Sequence, residues 1–399
     1  MTAPDPATHP DPEAELLLRV SRLELRPEDQ ARIAQLLAAG IDWERLLELA
    51  EAHGLRPLLF RHLDAVARSA MPREIETRLW SHQQQLRQKN RRMADELVAI
   101  VQLLESNGIP ALPYKGPVLA MLVYGDLALR EFGDLDLLLP KDCVARAKTL
   151  LADRGYAPYY PMSAQVEAAF LRAPNHYHLM LMRGQREMLL ELHWKTNAEF
   201  PVEPANDPAW WAQLATVRFD DRDVRCFAAH ELVLALCLHG SKHHWTNLNW
   251  LVDVAEYVRQ QPALDWSWIL ARADRLRAGR RLALGLHLLR RPLDLPLPAP
   301  VQTWLADYPA MERLACVIAQ GWFALPRHDR SGLQRLRLNF QLYQTPWQRL
   351  RHAGNMLLRP SLVEWSRWPL PRPLFILYLP MRAGRLFGKQ ARGLFRKRR

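Results

Sequence analysis

Two carboxylates stand two residues apart at the head of an aliphatic run in "REFGDLDLLLP", residues 130–140. A β-strand sends alternate side chains to opposite faces, so Asp134 and Asp136 share one side while Leu135 and Leu137 enter the core on the other. Burying an unpaired carboxylate is costly and two adjacent ones repel, so the pair needs positive charge nearby. A hard cation answers that need, because Mg2+ is commonly held by one or two carboxylates together with substrate phosphates. Glu191, between Leu190 and Leu192 in "LLELHW", offers a third oxygen ligand. Three carboxylates on neighbouring strands suit a site that activates a hydroxyl and stabilises a departing pyrophosphate. With no cation bound, removing either aspartate is expected to relieve repulsion and leave the fold intact or slightly stabilised.

Cations of the matching kind flank these acids. Lys115-Gly116 ends a short apolar stretch just before Pro117, a residue favoured at the first position of a helix, and free N–H groups at a helix start attract phosphate. Arg130, four residues before Asp134, carries a planar fork able to hold phosphate oxygens in pairs. "HGSKHHW", residues 239–245, sets His239 and His243 one helical turn apart with Lys242 between them, and the glutamate of a zinc-protease helix is missing. Asp-x-Asp by itself has a second reading, as the nucleotide-sugar metal motif of glycosyltransferases. There it follows its apolar strand, whereas here the apolar run comes after. An EF-hand loop is excluded, because Leu138 falls where the next ligand should be. Asp126 has no apolar run behind it and reads as a turn acid. His176, His178 and His193 read as hairpin surface or as groups supporting the ligands.

The elements that must position these residues follow from periodicity. Apolar spacings of three and four give short amphipathic helices over residues 13–70, with Gly40 and Gly54 as stops. From Pro72 to Gly108 the same pattern extends as one long helix or two in line. The period then changes. "IPALPYKG" is a short strand, "PVLAMLVYG" a helix opened by Pro117, "FGDLDLLLP" a strand ended by Pro140, and "KDCVARAKTLLADRGY" a helix. "HYHLMLM" and "EMLLELHW" form a hairpin about "RGQR". From "AAHELVLALCLHG" onward most of the chain is helical again. The expected division is a helical domain over 1–108, a small mixed-sheet core over 109–200, a helical domain over 201–330 and a helical region with a basic tail over 331–399.

Composition bounds the class. The chain has 399 residues, 49% hydrophobic and 24% charged, which is ordinary globular content and excludes disorder as the default. Its four cysteines lie far apart without a C-x-x-C pair, so neither a zinc ribbon nor a disulfide framework is suggested. The acidic, proline-rich start is unlike a signal peptide, and no apolar run is long enough to cross a bilayer. A cytoplasmic setting is expected. Of the formal charge of +12, the last 18 residues carry +8, leaving +4 for the body. So weak an excess does not argue for a nucleic-acid groove, which carries its charge on the binding face. The tail, next to the apolar "PLFILYLP", reads as a peripheral contact with anionic membrane at the inner face, with nucleic acid as the rival partner.

"PYKGPVLAMLVYGDLALREFGDLDLLLP", then "LELHW" and "LCLHGSKHHWTNLNWLVDV", resemble a bacterial nucleotidyltransferase family described as uncharacterised, itself placed in the DNA polymerase beta-like nucleotidyltransferase superfamily. The resemblance covers roughly residues 50–260. It implies an α+β fold, a small mixed-sheet nucleotidyltransferase core embedded in predominantly helical N- and C-terminal domains. By that similarity Asp134 and Asp136 match the paired metal-binding carboxylates and Glu191 the third, as catalytic residues around Mg2+. Lys115-Gly116 stands where the wider superfamily has Gly-Ser, a departure at the phosphate loop. His239, Lys242 and His243 then face the nucleotide from the helical side, with Asp253 orienting one of them, and Lys115, Gly116 and Arg130 complete the nucleotide contacts. The implied activity moves a nucleoside monophosphate from a triphosphate to the hydroxyl of an unknown acceptor. A metal-dependent glycosyltransferase and a non-catalytic nucleotide-binding module are the alternatives.

Overall fold

The computed structural model describes residues 11–385 except 174, 186, 206, 325–331, 359–367, 369, 371 and 383. Lys389, Arg392 and residues 396–399, most of the basic tail, lie outside the described residues. Five helices come first: α1 Pro12–Arg19, α2 Pro27–Ala39, α3 Trp43–His53, α4 Arg56–Val66 and α5 Arg73–Ser106. The long pattern after Pro72 is thus one uninterrupted helix of 34 residues. Local chemistry fixes the boundaries. Asp42 caps α3 by accepting from the Arg45 N–H at 3.1 Å. Gly54 closes it in the left-handed region at φ +66°, where a Cβ would also come within 2.9 Å of Asn249 Nδ2.

A five-stranded sheet follows, with α6 Pro117–Tyr124, α7 Val144–Ala152 and α8 Ala164–Arg172 in its connections. Its strands are β1 Leu112–Pro113, β2 Leu135–Leu138, β3 Ala157–Pro158, β4 His178–Arg183 and β5 Met188–His193, in the order β1-β2-β5-β4-β3. Only β2 and β5 run parallel among these pairs; the others are antiparallel, so the sheet is mixed and the fold α+β. Asp126 is a turn acid, accepting from the Ala128 N–H at 2.8 Å.

Two apolar cores sandwich this sheet. Leu135, Leu137, Leu190 and Leu192 point into one, packed against the second half of α5, α7 and α8. Leu112, Tyr114 and Leu138 enter the other, which is shared by the N-terminal helices and by the helices after the sheet. Those later helices are α9 Pro208–Ala212, α10 Ala229–Lys242, α11 Leu248–Arg259, α12 Trp266–Arg275, α13 Gly279–Arg290, α14 Ala299–Leu305, α15 Pro309–Gln320, α16 Gly332–Leu342 and α17 Pro346–Leu358. The stretch expected to be helical also holds an antiparallel ribbon, β6 Ala215–Phe219 and β7 Arg222–Cys226. Its alternate residues Val217, Phe219, Val224 and Cys226 are buried while charged side chains cover the outer face, the pattern of a half-buried ribbon.

Between α10 and α11 the chain turns through two consecutive left-handed residues, His244 at φ +53° and Trp245 at φ +48°. The fully buried Trp245 indole wedges between α10 and α13, so close that a Cβ on Gly240 would come within 2.3 Å of it and one on Gly285 within 2.9 Å. Among the described residues no helix is long and apolar enough to cross a membrane.

Candidate active site

Parallel pairing of β2 with β5 sets Asp136 opposite Glu191 and Leu138 opposite His193; β4 then sets His178 opposite His193. Because the leucines between them fill the core beneath, alternation forces these titratable groups onto the opposite face. Asp134, just before β2, opens the row. The approach to it is held by a polar stripe on α5. Asn90 Nδ2 donates to the Leu127 and Arg130 carbonyls at 2.6 and 2.8 Å, Gln83 Nε2 to Ala128 O at 2.9 Å and Lys89 Nζ to Phe132 O at 2.5 Å.

Asp136 is 3% exposed, and its Oδ1 receives both Lys115 Nζ at 2.6 Å and His193 Nε2 at 3.0 Å. The same His193 nitrogen lies 3.0 Å from Glu191 Oε2. Burial alone would lift the Asp136 pKa, but the Lys115 charge and the His193 contact outweigh it and hold it well below the usual carboxylate range. Burial would likewise deprotonate His193, yet hydrogen bonds with Asp136 and Glu191 leave its pKa raised. For Asp134 the Lys115 and Arg130 charges do not suffice. Repulsion from Asp136, followed by burial, pushes it up to about 6. The two aspartates are therefore not equivalent.

Lys115 reaches this point because Gly116 takes φ +55°, and a Cβ there would approach the Asp134 carbonyl to 3.0 Å. A backbone this close to the acid-bearing strand requires glycine. Opposite stands the end of α10. Lys242 Nζ donates to the Tyr177 hydroxyl and lies over its ring, 4.5 Å from the centroid, and burial followed by the Lys115 charge lowers its pKa to about 8. His239 and His243 pack against Trp250 with ring centroids 5.5 and 5.2 Å away. Burial and neighbouring cations keep both neutral, His243 at about 3.

A cleft of about 490 Å3 collects all of these groups, and Lys115, Gly116, Arg130, Asp134, Asp136, Glu191, His239, Lys242 and His243 all line it. Arg130 arrives already engaged. Its Nε and Nη2 meet Asp253 at 2.9–3.1 Å, and Tyr124 Oη donates to the same carboxylate at 2.9 Å. It meets the cleft as half of a buried ion pair, and Asp253 serves Arg130 and Tyr124 where it had been expected to orient His239, Lys242 or His243. His176 instead stacks on Phe170, ring centroids 4.0 Å apart, away from the acids.

The donor set suits a divalent cation. Asp134, Asp136 and Glu191 present hard carboxylate oxygens to the cleft, and the Lys115 ammonium against Asp136 stands where positive charge is drawn. Among the described residues, His178, Glu191 and His193 are the group whose ligand atoms gather closely enough to hold a metal ion, all within 4.8 Å of one another. Burial and the neighbouring His193 keep His178 neutral at about 3, the form a metal ligand needs. Sequence reasoning had placed His193 behind the ligands without assigning it a contact, yet its period-two spacing from Glu191 already put both on one face. Tyr177, Trp250 and Asn249 carried no comparable signal.

The cleft thus sets clustered carboxylates on one face of a mixed sheet, with Lys115 bonded among them and Lys242 at the end of α10. The chain belongs to the family described as uncharacterised nucleotidyltransferase, which matches residues 39–294 and so spans every cleft residue named above. No curated protein matches it.

Proposed function

We propose that the cleft transfers a nucleoside monophosphate from a nucleoside triphosphate to an acceptor hydroxyl, with Mg2+ as cofactor. The observation that carries this reading is the Asp136–Glu191 pair in register across β2 and β5, with Asp134 beside it, on the wall of a cleft that also holds Lys115 and Lys242. Asp134, Asp136 and Glu191 would hold the cation, which when bound neutralises phosphate charge and lowers the pKa of a coordinated hydroxyl. The chain's own groups bind and orient. Lys115, lifted to the acids by the Gly116 turn, is placed to hold a phosphate oxygen with its ammonium group. Lys242 supplies a second cation from α10, and the His239–His243–Trp250 surface offers flat rings to the nucleoside. Arg130, fixed on Asp253, keeps the lead-in to β2 in place. In the reaction the acceptor oxygen forms a bond to the α-phosphorus, the bond from that phosphorus to the bridging oxygen breaks, pyrophosphate leaves, and the hydroxyl proton passes to solvent.

Incubating the full chain with Mg2+, cell extract and triphosphates labelled at the α- or γ-phosphate tests the reading. Label should move to an acceptor from the α-position only, with release of pyrophosphate, and Asp136→Asn should abolish it. Transfer from the γ-position would mark a kinase instead, and no binding of any triphosphate would defeat the proposal.

A further inference from the structure

Beside the cleft lies a second cavity of about 640 Å3, a size suited to a small molecule. Glu131, Phe132, Asn247 and Asn249 line both, so the two spaces share a wall built from the segment leading into Asp134 and the start of α11. A molecule in the second cavity would lie directly across this partition from the carboxylates.

The lining describes its occupant. Gln85, Gln88, Asn247 and Asn249 contribute amides, which both donate and accept and so read hydroxyl groups. Asn249 is 8% exposed, and its Oδ1 is buried without a hydrogen-bond partner. A buried acceptor left in that state is paired when a ligand hydroxyl reaches it. The cations divide into two groups. Arg56 and His82 are both taken by Glu131, Arg56 through two contacts of 3.0 and 3.1 Å and His82 through one of 3.1 Å. Lys89 and Arg92, three residues apart on α5, line the same cavity, and among the described residues neither has a carboxylate within ion-pair reach. Among the described residues, Lys89 is bonded only to the neutral Phe132 carbonyl. Phe132 and Leu86 add a small apolar wall.

We infer that this second cavity is the acceptor site, and that the acceptor is a sugar bearing an anionic group, a phosphate or a carboxylate. The assignment rests on the nucleotidyl-transfer reading of the adjoining cleft for the word acceptor, and on the cavity itself for the chemistry of the ligand. Lys89 and Arg92 would hold the anionic group while the amides hold the hydroxyls, leaving one hydroxyl directed over the 132–134 segment.

Calorimetric titration of the full chain, without nucleotide, against glucose 6-phosphate, glucuronate, glucose and inorganic phosphate tests it. At least one of the two anionic sugars should bind about tenfold or more tightly than both glucose and phosphate, and which one does so separates phosphate from carboxylate. Lys89→Gln and Arg92→Gln should each bring that affinity down about tenfold, while Asn249→Ala weakens the sugars and not phosphate. Binding of a non-hydrolysable triphosphate with Mg2+ should be unchanged in Arg92→Gln, because Arg92 lines this cavity and not the cleft. Four outcomes overturn the inference: neither anionic sugar binds, phosphate binds as well as a sugar phosphate does, the variants bind as wild type does, or Arg92→Gln loses the triphosphate. If anionic sugars bind through Lys89 and Arg92 but no triphosphate binds, the cavity keeps its ligand class and nucleotidyl transfer falls. The reverse result removes the sugar and leaves transfer standing.

Discussion

Arg130 meets Asp253 through three contacts of 2.9–3.1 Å, with Tyr124 adding a fourth, whereas Lys115 meets Asp136 through one of 2.6 Å on an oxygen it shares with His193. Both pairs are buried in the wall of the same cleft. The first is closed: guanidinium and carboxylate match fork to fork, and a hydroxyl adds to the match. The second is open. Its cation is a single ammonium on a flexible stem, and the Lys115 and Arg130 charges only partly offset the repulsion and burial that lift the pKa of Asp134 beside it. A closed pair holds a structure in place, while an open pair can exchange partners when a ligand brings its own charge. That contrast separates the scaffold from the chemistry within a few residues of chain.

Breaking the closed pair should produce the largest effect on stability. Asp253→Ala leaves the buried Arg130 unpaired and is expected to cost about 3–5 kcal/mol, read as a lowered denaturation midpoint. A loss under about 1 kcal/mol would mean the pair is no scaffold. Breaking the open pair should be felt in catalysis. Asp136→Asn is expected to lower transfer by about a hundred- to a thousandfold, and also to lower the melting temperature because Lys115 and His193 lose their common anion. Here the structure changes the expectation that removing either aspartate would spare the fold. Relief belongs to Asp134 alone. Asp134→Asn should stabilise the metal-free protein at pH 7.5 by about 1–2 kcal/mol, since that carboxylate is the one whose ionisation its neighbour opposes. A melt showing both variants shifted in the same direction would erase the distinction.

The smallest effect concerns histidines far from either pair. Burial lowers the pKa of His62, and that of His287 to about 4, against an unfolded value near 6.5. A depressed histidine pKa means that the unfolded chain takes up protons the fold refuses, so this contribution is complete above about 6.5 and is lost as pH falls toward the folded value. Between pH 7.5 and 5.5 His287 should cost about 1 kcal/mol, and His62 adds a loss of the same sign. His287→Gln should reduce the acid sensitivity of the melting temperature by about that much. An unchanged slope would show that His287 is protonated alike in both states.

How much of this was legible beforehand depended on distance along the chain. The α5 helix, the change of period near residue 109, the hairpin and the carboxylate row all rest on spacings of two, three or four residues, and sequence displays such spacings directly. The β6–β7 ribbon was missed because only four of its residues are buried and apolar, and charged side chains between them mask the alternation. Long-range pairings were out of reach. Nothing near Arg130 announces Asp253, 123 positions away, and Asn249 gains meaning only where two cavities meet. All nine proposed site residues nonetheless reach one cleft, because the family motif already draws from both the sheet and α10.

The Trp245 wedge bears on how this enzyme could have been assembled. Lys242 and His243 precede the wedge and Trp250 follows it, so the corner that sets their separation is locked by Gly240 in α10 and by Gly285 in α13. A gene fragment encoding the sheet alone, or one ending before α13, would carry Asp134, Asp136 and Glu191 yet lack what fixes the opposite wall. Half of the cleft is thus inherited from a helix that contributes no side chain to it. Recombination that exchanged the helical region wholesale could therefore replace the α10–α11 wall in one step, whereas a crossover between α10 and α13 would separate the indole from one of the two glycines that admit it.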